Sequence, residues 1–357
     1  MSYRNMSSHK FIPIVGHKDI LKNLNERIKK ENLPHGLLFL GPKGIGKSTL
    51  AYQLAYALFG KKELAAKIDI EDPLFRRLLQ GSHADFKHIR LGFNEEGKPH
   101  QEIPLEAIRN TVQFLQVTPL EGGWRVVLIE DAEFLSRKAA NALLKSLEEP
   151  PTKTLLILCA SQEQQVLPTL RSRCQRIVFN KLEKEDVKKI LLEYHFFSEE
   201  EITLLMKFSE GSPGRAILLS QLGGHQFYQE FFDMLQAAIT GKYSFLFTFV
   251  ENYTQVKIEK GFDLYRAIGY FISWWLGSYL IEIHQESGEK SIWDERQLQI
   301  FKRFPVKFWV QHYHKINFFY HHPHAVGLER KYCLAFILLG IVFGPNAYNE
   351  GIANEFC

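Results

Sequence analysis

Gly41-Pro42-Lys43-Gly44-Ile45-Gly46-Lys47-Ser48 is the stretch on which the reading of this chain turns. It fits the spacing G-x-x-x-x-G-K-[ST]. It also lies where a phosphate loop must lie, after the apolar run Gly36–Leu40 and before the helix-compatible run Ser48–Phe59. The chemistry explains the spacing. Gly41, Gly44 and Gly46 let backbone N–H groups converge on phosphate oxygens, and the helix start adds its dipole. Lys47 would neutralise the β- and γ-phosphates, and Thr49 would sit beside them on the first turn. The Ser48 hydroxyl would hold Mg²⁺. A nucleotide with Mg²⁺ is therefore the expected ligand.

Working outward, Val126–Ile129 and Leu155–Cys159 are further apolar runs without alternation. Such runs suit strands covered on both faces, so residues 1–180 are expected to form an α/β module, a parallel sheet flanked by helices. Carboxylates follow the first of these strands at Glu130, Asp131 and Glu133. Glu130 is the candidate to share Mg²⁺ with Ser48, and Asp131 the candidate to prepare water. Ser136–Glu149 reads as a helix, capped by Ser136, with Ala140, Leu143, Leu144 and Leu147 on its apolar face and Pro150–Pro151 as its stop. The segment from Gly81 to Ile103 reads as a connection.

Residues 181–225 change character and predict a small helical lid. Glu183–Tyr194 is charged and helical, Ser198 and Glu201 make a capping box, Gly211 ends that helix, and Ser212–Pro213 open another. Residues 226–357 are rich in aromatics at helical spacing, among them Phe231, Phe232, Phe271, Trp274, Trp275 and Tyr279, and predict an all-helical domain.

Composition excludes several classes. With 45% hydrophobic and 24% charged residues the 357-residue chain can bury two or three cores. A formal charge of +4 is too mild to argue for nucleic-acid binding by itself. The four cysteines share no paired spacing, which suggests reduced thiols rather than a disulfide framework. The opening residues hold no apolar stretch, so no signal peptide is expected. Ile268–Ile281 and Cys333–Phe343 fall short of the ~20 residues a bilayer span needs. A cytoplasmic protein without membrane contact is the expectation. His312, His314, His321, His322 and His324 share no carboxylate or cysteine at ligand spacing, so they are read as packing residues. The same reading applies to Trp274–Trp275 and Phe318–Tyr320, and Arg27, Lys29 and Lys30 are read as a solvated helix face.

Several stretches resemble the bacterial DNA polymerase III clamp-loader family of AAA+ proteins, nearest its delta-prime branch. Ala139–Pro151 looks like the helix after the acidic strand, Leu167–Cys174 carries Ser-Arg-Cys, and Gly211–Ala216 is similar to the lid signature. Ile14-Val15-Gly16-His17 looks like the segment that packs on the adenine, which makes Val15 a candidate contact. The run 119–125, Pro-Leu-Glu-Gly-Gly-Trp-Arg, points to the delta-prime branch. The likeness covers about 1–220 and becomes general beyond 226.

The resemblance implies that the nucleotide is ATP and the assembly a five-subunit ATPase, a hetero-pentamer that opens a sliding clamp and closes it around primed DNA. It implies that Arg173 is an arginine finger acting in trans, that Arg215 reaches the γ-phosphate from the lid, and that 226–357 is a collar. Two departures follow. Hydrolysing members read Asp-Glu where this chain reads Glu130-Asp131, a one-methylene exchange that would misplace water by about an ångström and cost ~10²-fold in rate. Nucleotide binding is thus better supported than turnover, with Ser161 the only stand-in for the polar residue after the next strand. Residues 60–125 hold no cysteine, so the family's four-cysteine zinc module is not expected. Competing readings are a self-sufficient ATPase motor acting on DNA and a non-hydrolysing scaffold.

Overall fold

The computed structural model describes residues 11–64, 68–91, 102–121, 123–195, 197–254, 264–285, 294–321 and 329–348. By its internal contacts the chain divides into two compact units. The first is Met1–Ile202 with Ser209–Ala216, the second Thr203–Phe208 with Ile217–Cys357.

Through the first unit the order is α1 (Lys18–Lys29), β1 (Gly36–Leu40), α2 (Lys47–Gly60), α3 (Pro73–Gln80), β2 (Phe86–Ile89) and α4 (Leu105–Gln116). Then come β3 (Arg125–Ile129), α5 (Arg137–Glu148), β4 (Thr154–Ala160), α6 (Pro168–Arg171), β5 (Gln175–Val178) and α7 (Lys184–Tyr194). The strands form one parallel sheet in the order β2-β3-β4-β1-β5.

Every residue of β1, β3 and β4 is buried, as their unalternating apolar runs require. Successive side chains point to opposite faces. Leu37, Phe39, Val126, Leu128, Leu155 and Ile157 pack under α2 and its neighbours α1 and α3. Leu38, Leu40, Val127, Ile129, Leu156 and Leu158 pack under α4 and α5. Helix α2 is buried all round from Leu50 to Leu58, which explains why it shows no one-sided apolar stripe.

The helix expected at Ser136–Glu149 is α5. Ser136 accepts from Ala139 N at 3.2 Å, and Ala140, Leu143 and Leu147 are buried while Leu144 is half-buried. One expectation fails. Gly81–Ile103 is not simply a connection: β2 runs through it and pairs with β3 from Phe86↔Val126 to Ile89↔Ile129. Residues 92–101 of that segment lie outside the described residues.

Helices α8 (Glu199–Ser209) and α9 (Pro213–Gln221) follow. Ser198 and Glu201 make the reciprocal capping box, and α8 stops with Glu210 in the left-handed region one residue before Gly211. The second unit continues with α10 (Gly224–Ile239), α11 (Ser244–Thr254), α12 (Leu264–Gln285), α13 (Glu295–Lys302), α14 (Val306–His321) and α15 (Arg330–Phe343). Its core is aromatic. Phe227, Phe231, Phe271, Trp275, Phe301 and Trp309 are fully buried, and Phe271 meets Phe227 and Phe231 edge-on at 5.1 Å each. Trp274 and Trp275 are therefore core, and Phe318 is about half exposed. His312 is buried, its Nε2 3.1 Å from Ile337 O, while His322 and His324 lie outside the described residues. No helix among the described residues is long and apolar enough to cross a membrane.

Candidate nucleotide site

The phosphate loop rises from the C-terminal end of β1, the end at which open parallel sheets bind ligands. Gly41, Gly44 and Gly46 all have positive φ. Gly44 is required twice over: its φ is 79°, and a Cβ there would lie 2.7 Å from Cα of Gly214. That close approach lets the first turn of α9 rest on the loop. Ser212 donates its hydroxyl to Lys43 O at 2.6 Å, and Gly214 N donates to Gly44 O at 2.9 Å. Ser212 stands where a helix cap was expected, and its hydroxyl reaches the loop.

Lys47 is buried and donates to Gly41 O at 2.5 Å and Pro42 O at 2.9 Å. Burial lowers its pKa, opposed by Cys159, Glu133 and Asp131 nearby. Ser48 and Thr49 lie half-buried on the first turn of α2.

The sheet order places β4 between β1 and β3, so Glu130 approaches the loop across the end of β4. Glu130 is buried. Burial alone would raise its pKa, but His88 beside it and the Ser48 hydroxyl outweigh that and hold the carboxyl well below the usual range. His88 Nε2 lies 3.5 Å from Glu130 Oε2, and Tyr52 Oη lies 3.1 Å from His88 Nδ1. Asp131 adopts a left-handed conformation (φ 54°) and pairs with Lys43 Nζ at 3.3 Å. Glu133 accepts from Ser161 N at 3.3 Å. Between these groups the Cys159 thiol is buried and its pKa pushed well up, chiefly by burial.

Among the described residues, two buried carboxylate oxygens, Glu130 Oε1 and Glu133 Oε2, have no hydrogen-bond partner. Acceptors left bare beside a phosphate loop suit a divalent cation and its water shell. The residues present therefore fit a magnesium–nucleotide complex, with Ser48 and Glu130 on the cation. Among the described residues no group of three or more His, Cys, Asp or Glu is placed to hold a metal unaided.

In the segment expected to meet the adenine, Ile14 N donates to the buried Gln53 Oε1 at 3.0 Å, which ties the segment to α2. Val15 is half-buried beside it. His17 Nε2 lies 3.2 Å from Ile45 O, and its ring meets Phe179 edge-on at 5.0 Å. Burial lowers the His17 pKa, with Ile45 O and Asp186 opposing. Arg215 donates to Glu210 Oε2 at 2.9 Å.

Arg173 is not part of this constellation. It lies two residues before β5, and its carbonyl would lie 3.3 Å from a Cβ on Gly36, the first residue of β1. The phosphate loop leaves the other end of β1. Five residues at about 3.3 Å each separate the two by ~16 Å along the sheet. Sequence reasoning missed His88, Gln53 and the Lys43–Asp131 pair. His88 was hidden because β2 itself was, and Lys43 occupies one of the motif's unrestricted positions.

The strand order, with the phosphate loop after β1 and the acidic edge after β3, defines a P-loop protein of the AAA+ class. Residues 16–183 match the family model "DNA polymerase III, delta subunit". The delta' subunit of Pseudomonas aeruginosa DNA polymerase III is 41% identical over 140 residues, 39% of this chain and 41% of that one. The gamma subunit of Buchnera aphidicola is 30% identical over 227 residues, 62% and 60% of the two chains. The delta' subunit of Escherichia coli is 30% identical over 187 residues, 52% and 54%. Matches to these relatives thus span between two fifths and three fifths of their length. Within the AAA+ class, the chain is thus similar over part of its length to subunits of DNA polymerase III.

Proposed function

We propose that this chain is a delta-prime-like subunit of a DNA polymerase III clamp loader, part of a DNA-directed DNA polymerase holoenzyme. It binds ATP with Mg²⁺ and turns it over slowly or not at all. It offers Arg173 to the ATP site of a neighbouring subunit. The observation that carries this reading is the position of Arg173, at the end of the sheet opposite the chain's own phosphate loop. A cation there cannot serve its own site but is free to serve another's, where a guanidinium stabilises charge on the transferred phosphoryl group. The Lys43–Asp131 pair supports slow turnover, because it engages the carboxylate that would otherwise activate water.

In this reading the chain works in a cytoplasmic hetero-pentamer with other clamp-loader subunits, and meets sliding clamp and primed DNA through that assembly. Residues 1–180 are the nucleotide module, 181–225 the lid that carries Arg215, and 226–357 the collar. Lys47, Ser48, Thr49 and the loop glycines hold phosphates and Mg²⁺, Glu130 completes the cation site, and Val15 lines the adenine.

The test is ATPase activity of the chain alone and mixed with its partner ATPase subunits. The chain alone is expected to be nearly inactive, and Arg173→Ala to cost the mixture ~10³-fold or more in clamp- and DNA-stimulated turnover. Lys47→Ala should weaken ATP binding by this chain about 10–100-fold. Brisk hydrolysis by the chain alone, with Arg173→Ala harmless in the mixture, would establish an independent motor instead. No nucleotide binding at all would leave a scaffold.

A further inference from the structure

Arg173 does not wave free in solvent. Its Nε donates to Glu148 Oε1 at 2.7 Å and Nη2 lies 2.5 Å from the same oxygen. Its Nη1 donates to Thr169 O at 3.0 Å and Ser172 Oγ at 3.3 Å. All three nitrogens are thus engaged on one side, yet the side chain keeps about a third of its surface exposed. Five N–H bonds against these four contacts leave one hydrogen, on Nη2, to spare for an incoming anion.

The backbone that makes this arrangement begins at Gly36. A Cβ there would strike Leu147 Cδ2 at 2.9 Å and crowd Arg173 O and Cys174 Sγ at 3.3 Å. Without a side chain, Gly36 lets the end of α5 and the turn after α6 meet over the start of β1. His35 fastens the same junction, its Nε2 2.7 Å from Leu147 O.

Glu148 is the last residue of α5, where the helix dipole disfavours a carboxylate. A local rule broken without structural gain marks a residue kept for another purpose. An exposed ion pair stabilises the fold by only ~0–1 kcal/mol, so stability does not account for it. It does fix the plane of a guanidinium that keeps about a third of its surface exposed.

We infer that Glu148 is the positioning residue for Arg173: it holds the guanidinium by Nε in the orientation that an adjacent subunit's nucleotide meets. The inference rests on the in-trans role proposed for Arg173.

The experiment uses the assembled complex with its partner ATPase subunits, at saturating partner, clamp and primed DNA. It compares Glu148→Ala, Glu148→Gln, Arg173→Ala and the Glu148→Ala/Arg173→Ala double variant. Glu148→Ala is expected to lower kcat about tenfold with KM for ATP within about twofold, because a loosely held guanidinium is lost only where the reaction needs it. Glu148→Gln keeps an acceptor for Nε and should retain most of the activity. The double variant should match Arg173→Ala alone, since removing the finger leaves nothing to position. Thermal stability and ATP affinity of the isolated Glu148 variants should equal the parent's, which separates positioning from folding. A loss on Arg173→Ala with no loss, or a gain, on Glu148→Ala would overturn the inference and leave the finger standing. Additive losses in the double variant would overturn it too. If Arg173→Ala itself changes nothing, the role of Arg173 falls, and that of Glu148 with it.

Discussion

A buried carboxylate normally takes up a proton, and Glu130 resists this because His88 and Ser48 face it. An ionised Glu130 whose Oε1 is bare among the described residues fits a divalent cation. Glu130→Gln removes the charge and keeps the shape. It is expected to weaken binding of ATP with Mg²⁺ about tenfold and to leave binding without Mg²⁺ within about twofold, as titrations with and without chelator would record. Asp131, in contrast, is shared with Lys43 and is poorly placed as a base. Asp85 shows the same logic in a structural setting. It is buried, accepts from Leu120 N and Glu121 N at 2.9 Å each, and lies 3.5 Å from the buried Arg125. Asp85→Ala removes the counter-charge of that guanidinium and the acceptors of two amides, so urea unfolding of the first unit should show a loss of about 3–5 kcal/mol.

At the scale of elements, the first turn of α9 and the phosphate loop touch backbone to backbone at Gly214 and Gly44. Gly214→Ala would push a methyl into Cα of Gly44 and part the hydrogen bonds from Ser212 and Gly214. Overpacking of this kind should cost about 1–3 kcal/mol in the melting transition of the first unit, together with a measurable loss of ATP affinity. The central strands β1, β3 and β4 were legible because burial on both faces demands unbroken apolar runs. The strands that escaped reading, β2 and β5, are the two edges of the sheet. Phe86-Lys-His-Ile89 and Gln175-Arg-Ile-Val178 are four residues long and half polar, as edges exposed on one side are. The phosphate motif named Lys47 and Ser48 outright. The groups around them escaped for separate reasons: His88 lies on an edge strand, Gln53 further along α2, and Lys43 at one of the motif's unrestricted positions.

Across the whole molecule, pH acts through a residue far along the chain from any phosphate. His312 is buried in the second unit, and burial lowers its pKa from 6.5 to about 4. Because the folded pKa is below the unfolded one, the unfolded chain binds the proton first. His312 therefore contributes full stability above about pH 6.5, and that contribution drains away as pH falls towards 4, roughly 3 kcal/mol in all. Four of the five tryptophans lie beyond residue 217, so tryptophan fluorescence in urea follows this unit. Its midpoint should drop between pH 7 and pH 4.5, and His312→Gln should flatten that slope.

Strand β4 lies between the strand that carries the phosphate loop and the strand that carries the acidic edge. Those two halves of the nucleotide site are therefore separately heritable. A change in the carboxylates leaves the hydrogen bonds of β1 intact, and a change in the loop leaves β3 where it was. A chain can thus exchange residues of its acidic edge while the strand that carries the loop keeps both its neighbours.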